Sequence, residues 1–254
     1  MVKMYLNKKS KVNKLAKEIY TEKSKKEVFL ILHGYTGPTI GVKPLHDKLV
    51  KMGYSVYCPR YPGHGTNKED FQKSTWKEWL GKSLESYLNL KAKYENVYLA
   101  GFSMGGVISS IICAHYDVEK LILIAPAFYL RDKKMQYYRF LKYLIPKKEI
   151  INPPKYKDEN WEKLSQEYYK YDFYNKKSDL NKLMEISRKK VKNIKAKTFV
   201  VLSKNDMSVD FEKTKKLIKS LKNTKYILEL KKSSHVILSD IEKVSVLEEI
   251  EKWI

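Results

Sequence analysis

Six short apolar runs, at 28–32, 55–58, 97–100, 121–125, 198–202 and 226–230, punctuate this chain of 254 residues. The first reads Val-Phe-Leu-Ile-Leu and leaves no polar residue for either face of a strand. Such a strand must be covered on both sides, as in a parallel sheet. Helical patterns at about 43–52, 75–93, 106–116, 211–222 and 241–253 supply the cover. Strand alternating with helix predicts an α/β fold, a mainly parallel sheet flanked by helices. Residues 1–26 are charged and weakly patterned, and are expected to form a short edge strand or an N-terminal arm.

One interval breaks the alternation. Residues 126–195 show no sheet-strand pattern and are rich in aromatics, among them Tyr137, Tyr138, Phe140, Tyr143, Trp161 and Tyr168. So long a structureless stretch is improbable inside a compact domain, so an inserted helical cap is expected there. The α/β core would then comprise residues 1–125 and 196–254.

Composition excludes several function classes. The formal net charge is +22, yet only four of the 51 basic residues are arginine, at 60, 131, 139 and 188. Bidentate grip on phosphates and bases favours arginine, so the scattered lysines argue against specific nucleic-acid binding. They allow a looser attraction to anionic surfaces. Residues 131–195 carry 19 basic against 9 acidic side chains, which would suit a cap resting on anionic lipid. Cys58 and Cys113 sit in apolar stretches and read as buried free thiols of a reducing compartment. The basic N-terminus is followed by no apolar segment, and no run is long enough to span a bilayer, so a cytoplasmic location is expected. No metal-ligand spacing of His or Cys occurs.

The chemistry concentrates at Gly101-Phe102-Ser103-Met104-Gly105, between the apolar run at 97–100 and the following helical pattern. G-x-S-x-G has chemical meaning only in that strand–turn–helix context, which presents the serine Oγ from a sharp turn. Ser103 is therefore the candidate nucleophile. A serine hydroxyl needs a base within reach, and the base an orienting acid. Of the five histidines, His235 follows the last apolar run, where open α/β sheets place functional groups. Asp206 stands in the same kind of position after 198–202. His33 and His64 are alternatives in early loops; His46 and His115 fall in helical patterns and read as packing or surface residues. Asp210 and Asp240 compete with Asp206, but read as caps of the helices that follow them. For an oxyanion hole, the backbone N–H of Met104 and that of Tyr35 in His33-Gly34-Tyr35-Thr36-Gly37 are the candidates; a plain strand-ending turn is the alternative.

Taken together, His33–Gly37, Tyr61-Pro62-Gly63-His64-Gly65, Gly101–Gly106, Asn205-Asp206 and Ser234-His235 resemble the serine α/β-hydrolases, in particular the bacterial carboxylesterase and monoacylglycerol lipase group. The likeness spans about 28–125 and 198–254, and that group carries its cap where this chain carries its aromatic insertion. It implies an acyl-serine mechanism on short- to medium-chain carboxylic esters or monoacylglycerols, with no cofactor. The triad it implies is Ser103, Asp206 and His235. A thioesterase, an acyltransferase or a carbon–carbon bond hydrolase would use the same triad. A non-catalytic ligand-binding member is the reading from another class, and the presence of all three triad candidates speaks against it.

Overall fold

The computed structural model describes residues 10–222 and 225–254. In chain order, β1 (Ile19–Thr21) and β2 (Glu27–Leu32) precede α1 (Lys43–Lys51), β3 (Ser55–Cys58), α2 (Lys68–Lys73) and α3 (Trp76–Lys93). Then come β4 (Asn96–Phe102), α4 (Met104–Cys113) and β5 (Lys120–Ile124). The next stretch holds α5 (Tyr138–Leu144), β6 (Lys148–Glu149), α6 (Glu159–Leu164), β7 (Tyr171–Asp172) and α7 (Tyr174–Lys190). The chain closes with β8 (Lys197–Ser203), α8 (Phe211–Lys219), β9 (Lys225–Leu230) and α9 (Lys243–Trp253).

The main sheet runs β1-β3-β2-β4-β5-β8-β9, parallel except for β1. All six apolar runs became its strands. β1 is the edge strand expected in the first 26 residues; residues 1–9 lie outside the described part. Alternation in β2 shows why its run is continuous. Val28, Leu30 and Leu32 enter an apolar cluster with α3 and α4, whereas Phe29 and Ile31 enter a second cluster with α1 and α9. All five are fully buried, and each contributes about 1.5–3 kcal/mol of hydrophobic stabilisation.

Residues 126–195 add no strand to this sheet. β6 and β7 pair only with each other, two residues apiece, around otherwise helical chain. α7 does not stand apart from the core: Leu180, Leu183 and Met184 join the cluster that holds Val107, Ile108 and Ile111 of α4. α4 is thus buried on every side, which its uniformly apolar sequence requires. The short α2 carries too little periodicity to be read from sequence; Asn67 starts it by accepting the Asp70 N–H at 2.9 Å.

The strand order sets the place of the site. From β2 the chain steps to β3 on one side, while β4 leads to β5 on the other. The loops leaving β2 and β4 therefore diverge, opening a crevice at the carboxyl ends of two adjacent strands. Ser103 and the loop 33–37 lie at those ends.

Candidate active site

Ser103 joins β4 to α4 with φ +54° and ψ −115°, a conformation a non-glycine residue adopts only when its surroundings impose it. The constraints are visible. Its N–H donates to Ile124 O at 2.9 Å, and its carbonyl accepts from Gly106 N at 3.0 Å and Ala127 N at 3.2 Å. Both flanking glycines are required by close backbone approach. A Cβ on Gly105 would stand 2.0 Å from Leu32 O, and one on Gly101 would stand 2.3 Å from Gly105 O. The same approach lets α4 begin at Met104, two residues before the apolar periodicity suggests.

His235 brings the three predicted triad residues into one chain. Its Nε2 lies 2.9 Å from Ser103 Oγ, and its Nδ1 lies 2.7 Å from Asp206 Oδ2. Asp206 is 2% exposed, and burial by itself raises a carboxyl pKa. The hydrogen bond and charge of His235, with the Val209 and Ser208 amides, outweigh burial and hold Asp206 below the usual carboxylate range. Those amides donate to Asp206 Oδ1 at 2.9 and 2.7 Å. An ionised Asp206 only accepts, so the His235 proton sits on Nδ1 and Nε2 is left free to accept from Ser103.

Each loop has its own fastening. Leu130 pairs with Val209 in an isolated antiparallel bridge, and Arg131 N donates to Ser208 O at 2.9 Å, tying the acid loop to the chain after β5. On the histidine loop, Glu242 Oε2 accepts from Lys232 N, Ser233 N and Ser233 Oγ at 3.0, 2.7 and 2.8 Å. Asp240 Oδ2 accepts from Ser234 N at 2.7 Å and from Ser234 Oγ. Asp240 therefore does not cap the last helix as expected; its carboxylate is engaged upstream by the histidine loop. Asp210 does cap α8, accepting from Lys213 N at 3.0 Å. Glu242 was missed by sequence reasoning. The signal in the sequence is faint: two serines before His235 and two acids, Asp240 and Glu242, soon after it.

The other histidines stay out of this chain. His33 and His64 are buried together against Tyr61, with ring centroids 5.3 Å apart. Desolvation lowers the His33 pKa to about 4 and holds that of His64 well below the ordinary value. His46 packs beside Asp47, and His115 Nδ1 bonds Ile111 O.

The loop after β2 reaches the serine. At Gly34 an added Cβ would lie 3.4 Å from Ser103 Cβ. Thr36, with φ +56°, and the Gly37 N–H bond to Gly34 O curl the loop over. Among the described residues, no backbone acceptor takes the N–H of Tyr35 or of Met104. A cavity of about 390 Å³ opens over Ser103 and His235. Its walls include Tyr35, Leu130, Met135 and Leu180, with Asp132 and Lys177 as charged members. Lys177 Nζ lies 2.7 Å from Asp172 and 3.5 Å from Asp132, so the charges are matched locally. The buried Cys58 and Cys113 thiols are free, and burial pushes both pKa values up. Among the described residues, no helix is long and apolar enough to cross a membrane.

A nucleophile elbow, a serine–histidine–aspartate chain and a crevice at the sheet's carboxyl edge define an α/β-hydrolase with a serine at its centre. Residues 23–242 match the family described as serine aminopeptidase, S33, and the chain belongs to that family of serine hydrolases. It is 25% identical over 243 residues to a carboxylesterase of Bacillus subtilis (strain 168), covering 92% of this chain and 95% of that one. A thermostable monoacylglycerol lipase of Bacillus sp. (strain H-257) is 36% identical over 87 residues, 34% of this chain and 35% of the lipase. Among solved structures, one described under LipS and LipT, two metagenome-derived lipolytic enzymes, superposes with a TM-score of 0.84 at 21% identity. That superposition covers 96% of this chain and 98% of the other.

Proposed function

We propose that this enzyme hydrolyses short- to medium-chain carboxylic esters, monoacylglycerols included, through an acyl-serine intermediate. The observation that carries the reading is the continuous hydrogen-bonded chain Ser103–His235–Asp206, whose Ser103 and His235 line the cavity. The cavity falls in the size range of small-molecule sites and is walled by apolar side chains suited to an acyl group. Residues 126–195 act as the cap, supplying Leu130, Met135 and Leu180 to that wall.

Ser103 Oγ attacks the ester carbonyl carbon while His235 Nε2 takes its proton. Asp206 holds the His235 tautomer and stabilises the imidazolium. The N–H groups of Tyr35 and Met104 receive the oxyanion. Collapse of the tetrahedral intermediate expels the alcohol, which His235 protonates. Water, deprotonated by His235, then attacks the acyl-serine ester, releasing the acid and restoring Ser103. None of these steps calls on a metal or a cofactor. The buried free thiols suit a reducing compartment, and we place the enzyme in the cytoplasm.

Hydrolysis of p-nitrophenyl esters of increasing acyl length tests the reading, with wild type beside Ser103→Ala. Turnover by the wild type and its loss by about 10⁴-fold or more in the variant are expected. A fluorophosphonate should add its mass at Ser103. Near-normal turnover by Ser103→Ala would overturn the proposal.

A further inference from the structure

α5 has two apolar faces, and only one of them is used. Met135, just before it, and Tyr138 are buried, and Met135 reaches the wall of the cavity above Ser103. The opposite side carries Tyr137, Phe140, Tyr143 and Leu144, which are 54%, 59%, 80% and 81% exposed. Ile145 and Ile151 extend the exposed set beyond the helix, at 50% and 87%. Large apolar side chains clustered in so short a stretch mark an interaction surface rather than the scattered exposure of an ordinary surface.

The charges around this face select its partner. Residues 133–148 contain six basic side chains, Lys133, Lys134, Arg139, Lys142, Lys147 and Lys148, and no acidic one. Among the described residues, no carboxylate forms an ion pair with any of the six. Arg139 lies 4.5 Å from the Phe140 ring centroid and Lys142 lies 5.1 Å from that of Tyr143, so the cations frame the rings. Arg139 and Lys142 share a groove with Asp179 and Glu185 of α7, yet residues 133–148 remain in positive excess. Aromatic and aliphatic side chains interleaved with such cations fit the boundary between anionic lipid headgroups and acyl chains.

We infer that the outer face of α5 docks the enzyme on anionic lipid surfaces, with the apolar side chains entering the headgroup boundary and the six cations meeting lipid phosphate and carboxylate. Docking does not depend on the reaction at Ser103, so binding and hydrolysis fail separately. It would bring the cavity's wall to the phase into which monoacylglycerols partition.

Sedimentation with vesicles of phosphatidylcholine, with and without phosphatidylserine, tests the inference. The wild type should pellet with the anionic vesicles at low salt and at least about tenfold less with neutral ones or at about 0.5 M salt, where charges are screened within a few ångströms. Tyr143→Ser with Leu144→Ser should abolish pelleting, and Lys142→Glu with Arg139→Glu should do the same. Both variants should keep their turnover of a soluble short-chain ester, which also verifies their folding. Should one variant misfold, the other and Ile151→Ser keep the test decisive. Absence of wild-type pelleting on anionic vesicles at low salt would overturn the inference. So would pelleting that the apolar variants leave unchanged, or a self-association in sedimentation velocity that those variants remove while lipid binding persists.

Discussion

Glu242 and Ser233 are joined twice: the same carboxylate oxygen accepts the Ser233 amide at 2.7 Å and the Ser233 hydroxyl at 2.8 Å. Ser233 lies two residues before His235, so this contact fixes where the imidazole can stand. Glu242→Ala frees the loop, and a misplacement near 1 Å costs a reaction about 100-fold. We expect kcat to fall roughly 10- to 100-fold with KM little changed, and Glu242→Gln to recover part of it. Steady-state kinetics well below the melting temperature separates this from mere destabilisation; a change confined to KM would contradict it.

Asp206→Asn tests the acid directly. The amide is neutral and can present its N–H toward His235 Nδ1, favouring the tautomer that cannot accept from Ser103. A loss of about 10³- to 10⁴-fold in kcat is expected, with the fold intact. If the variant kept more than a tenth of wild-type kcat, Asp210 or Asp240 would have to be reconsidered.

Acid should destabilise the fold through buried His33. Its pKa is lowered to about 4 by desolvation, against an ordinary value near 6.5. Between these values the unfolded chain binds a proton that the folded chain does not, so stability falls as pH falls through that window. From pH 7.5 to pH 5 the loss is about 2 kcal/mol from His33 alone. His64, depressed in the same direction, adds to it. Urea midpoints at the two pH values measure this, and His33→Asn should flatten the dependence; a pH-independent midpoint would refute the burial argument.

The elbow glycines should be irreplaceable for steric reasons. With a Cβ 2.0 Å from Leu32 O, Gly105→Ala must push α4 off β2, at a cost of about 3 kcal/mol. Gly41→Ala meets nothing within 4 Å and should change stability by no more than about 0.5 kcal/mol. Thermal melts of the two variants side by side would show the contrast; equal melts would remove the steric account.

The sequence by itself determined the sheet, because a run such as 28–32 has no polar face and can only be buried on both sides. It also determined the sharp turn at Ser103, since Gly101 and Gly105 bracket that residue at the end of one such run. The order of the strands places the ends of β2 and β4 side by side, and so decides that Gly34 approaches Ser103. Position after a strand already favoured Asp206 over Asp210 and Asp240, which read as caps, but only tertiary structure shows what each carboxylate faces. Asp210 turned to its own helix, Asp240 to Ser234, and Asp206 to His235. The two faces of α5 were equally invisible beforehand: Tyr137 and Tyr138 are the same residue type, adjacent in sequence. Burial is assigned by rotation around the helix axis relative to neighbours more than thirty residues away, which local pattern does not encode.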